Sequence, residues 1–414
     1  MTLAQAEAYL LDLELFGMRF GLDRMHRLMT VLGMPQRRFA SVHVVGTNGK
    51  SSTVRMIAAL LERHGVRSGS YTSPHLTSFR ERVEVGEEPV GPGEFAAAVE
   101  RAAHAAELVD RTADPDDRVT QFEALTAAGY HELGRRRVEV AVVEAGLGGR
   151  YDATNVIPSR VQVLTGVGLE HTRWLGPRVE DIAEEKLAVV RDHATLVCGP
   201  LAPEVARVAE RVARERSATL VRVDPTREPA WPLRARGAFQ RVNFAVARAA
   251  AEAFLGELDP ERVREAARAV EVPGRLQAVG SDPLVLLDGA HNPAGAEALA
   301  ASLPEVLERR PLVLVLGILD DKDAAAMLEA LLPLAVRAVL TRSRNPRSLS
   351  PATLDSLARR IAPGLATEVA PDPVRALELA RGRAGRAGAV LATGSIYLVA
   401  DLVRAPGAER ASAL

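Results

Sequence analysis

The chain of 414 residues has a single cysteine, Cys198, and three lysines, Lys50, Lys186 and Lys322, so nearly all of its 52 basic residues are arginine. One cysteine excludes an intrachain disulfide scaffold and fits a reducing compartment. Long apolar runs are missing too: residues 311–319, PLVLVLGIL, make about half of a membrane span. The opening MTLAQAE lacks the basic segment of a secretory signal. A cytoplasmic protein without membrane association is therefore expected. The net charge of −1 offers no excess of positive charge for nucleic acid, so none is expected as a partner. A hydrophobic share of 47% with 25% charged residues excludes disorder and collagen-like repeats.

The shortage of lysine is informative. A solvated surface accepts either cation, so a drift toward arginine spares lysine where a compact, titratable ammonium is needed and a planar, permanently charged guanidinium fails. The three lysines therefore become candidates for chemistry.

At roughly 100–200 residues per domain, the length predicts two or three domains. Short β-branched or leucine-rich runs alternate with amphipathic stretches. Strands are expected at 42–45, 138–143, 161–165 and 195–198, with helices at 3–16, 53–64, near 121–136 and at 180–191. A second series puts strands at 284–287, 312–316, 337–341 and 389–393, with helices near 294–303 and 323–332 and another at the C-terminus. Such alternation predicts parallel α/β sheets covered on both faces. The Pro- and Gly-containing segment 273–283 is the expected hinge.

Chemistry-bearing motifs fall at the carboxyl ends of these strands. Gly46-Thr47-Asn48-Gly49-Lys50-Ser51 joins the first strand to its helix, where backbone N–H groups and the helix N-terminus cradle phosphate and Lys50 reaches the β/γ-phosphates. It is a shortened GxxGKS form with Val44 where the first glycine usually stands. An ordinary glycine-rich turn is the competing account. Glu144, followed by AGLGGR, ends the strand VEVAVV and suits Mg²⁺, unless it merely caps a helix. His171 follows Glu170, and Lys186 lies in EEK. Alone, each reads as a hydrogen bonder or a solvated ion-pair partner. An amine that deprotonates can also take up CO₂ as a carbamate, a route closed to arginine. Asp288 and His291 lie in DGAHNP, and Lys322 in DDKD, both after strands of the second series.

Together these segments resemble the folylpolyglutamate synthase/dihydrofolate synthase family of Mur-type ATP-dependent amide ligases. The matching blocks are HVVGTNGKSS (43–52), YTSPHLTSFRERV (71–83), TQFEALTA (120–127), VVEAGLGGRYDATNV (142–156), GLEHTRWLG (168–176), EDIAEEKLAVVR (180–191), PGRLQ (273–277), LDGAHNPAGAE (287–297), GILDDKD (317–323) and TGSIYLV (393–399). They keep the family's order and span nearly the whole chain.

The resemblance implies a P-loop NTPase-like parallel-sheet domain, 1–276, with the pteroate or folate site. A smaller doubly wound Rossmann-like glutamate-ligase domain, 277–414, follows. It implies ATP contacts from Thr47, Asn48, Gly49, Lys50, Ser51, Asn243, Arg275 and Asp288. Two Mg²⁺ sites would use Ser73, Glu144, His171 and Lys186, the last matching the family's carbamylated lysine. Arg19, Phe20, Gln121, Phe122, Glu123, Tyr151 and Asp152 match segments lining the pteroate pocket. His291, Lys322 and Ser395 match motifs tied to phosphate or incoming glutamate, with Lys50, Lys186 and His291 as the catalytic set.

Four departures stand out. The chain reads Lys50-Ser51-Ser52 where GKGS is usual, and has Glu170 in place of Asp before the metal His. Tyr151 replaces Leu or Phe, and Phe239-Gln240-Arg241-Val242-Asn243 lacks the His of HQxxN.

The implied reaction joins L-glutamate to dihydropteroate, to the γ-carboxylate of a folate, or to both, through an acyl phosphate. The TQFE and GGRYDATN segments, compatible with a pteroate pocket, favour a bifunctional enzyme, and without an obvious assembly segment a monomer is expected. A UDP-linked cell-wall Mur ligase is the rival; only 45 residues precede Gly46, too few for its UDP-binding domain. A P-loop regulatory NTPase is the rival of another class.

Overall fold

The computed structural model describes residues 1–13, 21–114 and 116–404, so Arg19 and Phe20 lie outside the described residues. The chain forms two compact units. The first comprises Met1–Pro232 and Val242–Val270, the second Leu233–Arg241 and the chain from Glu271.

Among the described residues, the first unit holds an eight-stranded sheet. Its strands are β1 (Ala40–Val45), β2 (Ser68–Tyr71), β3 (Val83–Val85), β4 (Glu88–Pro89), β5 (Val140–Glu144), β6 (Val161–Leu164), β7 (Thr195–Cys198) and β8 (Thr219–Arg222), in the order β4-β3-β2-β5-β1-β6-β7-β8. The six strands from β2 to β8 in that order are parallel; β3 and β4 turn back antiparallel at one edge. All residues of β5 and β6 are buried, which is why these strands read as unbroken apolar runs rather than alternations. β1 sits centrally between β5 and β6, and the crossover direction reverses there. In an open α/β sheet, the carboxyl end of such a strand is where ligands bind.

The helices follow the expected periodicity. Lys50–Arg63 buries Val54, Met56, Ile57, Leu60 and Leu61 against the sheet. Gln121–Arg135 opens on a capping box in which Thr120 and Glu123 satisfy each other's backbone N–H groups. Val179–Leu187 stops short of the predicted 191. An alanine-rich helix, Pro92–Asp110, packs Phe95, Val99 and Val109 into the core on this side of the sheet.

The second unit holds β9 (Gln277–Ser281), β10 (Leu284–Leu287), β11 (Leu312–Leu316), β12 (Arg337–Leu340), β13 (Ala366–Val369) and β14 (Ala389–Thr393). Their order is β13-β12-β11-β14-β10-β9. All pair in parallel except β9, which runs antiparallel to β10. The segment expected to be a hinge, 273–283, is thus largely an edge strand. Its few apolar residues reflect exposure at the sheet edge, with Val279 49% exposed, rather than a linker. Leu286, Leu314, Leu316, Leu340 and Leu391 form the centre of this unit's core. No helix among the described residues is long and apolar enough to cross a membrane.

Candidate active site

The site in the first unit is built on the turn after β1. Gly49 caps the helix Lys50–Arg63 with a left-handed backbone, φ 85°, and a Cβ there would meet Asn243 Oδ1 at 2.5 Å. Only glycine fits both demands. The same closeness brings Asn243 onto the phosphate loop, although it is 194 residues away in sequence. The loop is stitched to the segment after β6: Thr47 N–H donates to Gly166 O at 2.9 Å, Gly168 N–H to Thr47 Oγ1 at 3.1 Å, and Thr165 Oγ1 to Asn48 O at 2.7 Å.

Two of the three lysines converge here. Lys50 Nζ donates to Thr47 O at 3.2 Å, and Lys186 Nζ to Gly46 O at 2.8 Å. Lys186 is 4% exposed. Burial, helped by the positive charge of Lys50, pushes its ammonium down to about 7, against the pull of Glu170, Asp152 and Glu185. An appreciable neutral fraction of this amine therefore exists near neutral pH.

Glu144 ends β5 beside the loop, buried at 2% exposure. Its Oε1 accepts from Ser51 Oγ at 3.0 Å and its Oε2 from the Ser73 N–H at 3.1 Å. Ser51 and Ser73 thus share the carboxylate the motif singled out. His171 stands on the exposed side of the Gly166–Gly176 segment with φ 52°, its Nε2 3.6 Å from Glu170 Oε1. Among the described residues there is no group of three or more His, Cys, Asp or Glu side chains arranged around a cation. The donors that do gather, a buried carboxylate, the Ser51 hydroxyl and a buried amine able to become a carbamate, are of the hard type Mg²⁺ takes. They fit a cation completed by phosphate oxygens or water.

The turn after Glu144 carries the expected pteroate-side residues. Phe122 lies against Gly146, so close that a Cβ there would be 2.6 Å from the ring. Gly149 packs on the Lys186 backbone, its would-be Cβ 2.6 Å from Lys186 O. Tyr151 is exposed, whereas Asp152 is buried and receives the Leu147 N–H at 2.8 Å and the Thr154 N–H at 3.0 Å. Gln121 Nε2 donates to Leu10 O at 2.6 Å. Glu123 has a different employment from the one expected: Arg24 Nε reaches both of its oxygens, at 3.0 and 3.1 Å, and Thr120 Oγ1 donates to Oε2 at 2.9 Å. Its buried carboxylate is thereby anchored to Arg24 and to the helix start.

In the second unit, Asp288 at the end of β10 accepts from the Leu276 N–H at 2.8 Å and the Ala290 N–H at 2.7 Å. Burial raises its carboxyl, and the nearby Arg275 opposes that. His291 Nδ1 donates to Gly289 O at 2.9 Å. Ser395 caps the helix Ile396–Val403 through the Tyr397 N–H. Lys322 lies 3.4 Å from Asp321, which Arg347 also approaches at 3.7 Å.

Residues 274–396 match the Mur ligase, glutamate ligase domain. The dihydrofolate synthase/folylpolyglutamate synthase of Mycobacterium tuberculosis is 37% identical over 366 residues, 79% of this chain and 75% of that protein. The chain belongs to the dihydrofolate synthase/folylpolyglutamate synthase family. Two solved structures of the family superpose along its length. The M. tuberculosis folylpolyglutamate synthase complexed with ADP has a TM-score of 0.90 and 34% identity, covering 98% of this chain and 99% of that one. Escherichia coli FolC with DHPP and ADP has a TM-score of 0.86 and 28% identity, covering 97% of each.

Within this family member, Thr165, Arg24, His43 and Thr154 escaped the sequence reading. Each acts through a partner between 99 and 120 residues away in sequence, or through a hydroxyl that any threonine carries, so no local pattern marks it.

Proposed function

We propose that the chain is an ATP-dependent ligase that joins L-glutamate to dihydropteroate, to the γ-carboxylate of a reduced folate, or to both. Its functional division falls at 276/277, into an ATP- and pteroate-handling part and a glutamate-ligase part; the family match over 274–396 supports that boundary. The observation that carries the reading is the convergence of Lys50, Lys186 and Glu144 on one phosphate loop.

A carboxylate is a poor acyl donor because oxide is a poor leaving group. In the proposed reaction a carboxylate oxygen of the pteroate or folate attacks the γ-phosphorus of ATP, the bond to the ADP oxygen breaks, and an acyl phosphate forms. The α-amine of glutamate then adds to the acyl carbon. Phosphate leaves from the tetrahedral adduct and the nitrogen gives up its proton, leaving the amide. The loop N–H groups from Gly46 to Ser51 and the Lys50 ammonium would hold the β- and γ-phosphates in line, and such positioning and charge stabilisation supply most of the catalysis in phosphoryl transfer.

Mg²⁺, held by Glu144, Ser73, His171 and a carbamate on Lys186, would contribute positive charge against the phosphoryl oxygens. The carbamate forms when the neutral Lys186 amine adds to CO₂ and sheds a proton. Asn243, Arg275 and Asp288 would contact the nucleotide. Phe122, Tyr151 and the Gly146–Asp152 turn would receive the pteroate, and His291, Lys322 and Ser395 the phosphate or incoming glutamate. A soluble monomer working with small-molecule substrates fits these roles.

The test is ADP release by the purified protein with ATP and glutamate, run separately with dihydropteroate and with a reduced folate. Release that needs both glutamate and one of these acceptors is expected. Hydrolysis indifferent to both would identify a regulatory NTPase, and turnover only with a UDP-linked peptide acceptor a cell-wall ligase.

A further inference from the structure

His43 is a titratable side chain at the heart of β1 for which the reaction above has no use. It is fully buried, two residues before the phosphate loop's neighbour Val45, and flanked by Val143 of β5 and Gln162 of β6. Its Nε2 lies 2.9 Å from Thr154 Oγ1, and Nδ1 has no hydrogen-bond partner. Burial, with the charge of Arg191 nearby, drives the imidazole down to about 3, so the ring is neutral with one N–H.

The direction of the hydrogen bonds follows from the other end of the chain. The Thr154 hydroxyl is in short hydrogen-bond contact with Asp152 Oδ1, a carboxylate that accepts, so the hydroxyl donates there. It must then accept from His43, which places the ring hydrogen on Nε2. Asp152 Oδ1 also takes the Thr154 N–H, and Oδ2 takes the Leu147 N–H at 2.8 Å. Tyr130 OH donates to Thr154 O at 2.9 Å and fixes the same residue from the helix side. A single relay thus runs from β1 through Thr154 and Asp152 to the glycine-rich turn after Glu144.

We propose that His43 is a positioning residue: by donating to Thr154 it orients the hydroxyl toward Asp152 and holds the Gly146–Asp152 turn in the shape that receives the pteroate or folate. The assignment of that turn to the acceptor substrate rests on the ligase reading above. β1 itself is laddered on both sides, so loss of the donor is felt at Thr154 and the turn rather than at the phosphate loop. The prediction is accordingly selective for one substrate.

His43→Phe keeps a planar ring and removes the N–H; His43→Gln returns a donor at similar reach. Steady-state kinetics with dihydropteroate, or with a reduced folate if that is the acceptor, should show KM for the acceptor raised about tenfold in His43→Phe, the scale of one buried hydrogen bond. KM for ATP should stay within about twofold, and His43→Gln should recover most of the loss. Thr154→Val and Thr154→Ser make the same comparison from the other side of the bond and decide the matter if His43→Phe does not fold. Unchanged acceptor KM in His43→Phe and Thr154→Val, an equal rise in both KM values, or no recovery in either conservative variant would overturn the assignment. A wild-type protein that releases no ADP with any pteroate acceptor overturns the ligase reading, and this inference with it. An active wild type with indifferent variants overturns the inference alone.

Discussion

Lys186 shows how much one side chain carries in a protein so poor in lysine. Its stem and amine are buried against the phosphate loop, a setting that arginine would fill with charge but without carbamate chemistry. Lys186→Arg is therefore expected to lower ADP release about 100-fold or more, the scale of removing one preorganised charged group, with an unchanged circular dichroism spectrum. Its titration has a second consequence. In CO₂-free buffer the unfolded chain holds a proton on this amine up to about 10.5, while the folded chain loses it near 7. Between these values the unfolded state binds more protons, so stability rises with pH, by up to about 1.4 kcal/mol per unit from this group. Urea denaturation across that window should show the slope reduced in Lys186→Met.

At the scale of elements, the helix Gln121–Arg135 is tied down at its first turn. Arg24 and Glu123 are both nearly excluded from solvent, at 8% and 7% side-chain exposure, and Thr120 closes the capping box. Removing one partner of such a pair strands the other charge in a dry site. Arg24→Ala should cost about 3–5 kcal/mol in urea denaturation, most of it from the abandoned Glu123.

The same element shows where reading a sequence stops. TQFE announces a helix start correctly, because capping is a local device. It cannot reveal that Glu123 faces Arg24, 99 residues away. β9 is the complementary case: a strand at the sheet edge needs few apolar residues, so QAVGS offered no alternation to recognise. The buried parallel strands were legible because burial on both faces leaves a continuous hydrophobic record. The relay from His43 to Leu147 was not, since a hydrogen bond depends on geometry that residue types alone do not encode.

At the scale of the molecule, the two sheets give two independent cores, each with chemistry-bearing turns at strand carboxyl ends. In the proposed reaction the phosphate-holding loop belongs to the first. A ligand held by the folded state alone stabilises it by about 2.7 kcal/mol at 100 times its dissociation constant. ATP or ADP with Mg²⁺ should therefore raise the first unfolding transition measured by calorimetry, and Lys50→Ala should abolish most of that rise.

The distribution of amines has a practical corollary. Lys186 is sealed in the interior, Lys50 is half-buried in the phosphate loop and Lys322 is half-buried beside Asp321. Amine-directed reagents such as succinimidyl esters, which decorate most proteins indiscriminately, would find only Lys50 and Lys322 partly accessible among the lysines. A fluorophore or surface tether installed that way would have few side-chain addresses, and protection of Lys50 from the label on adding nucleotide would report that the phosphate loop is occupied.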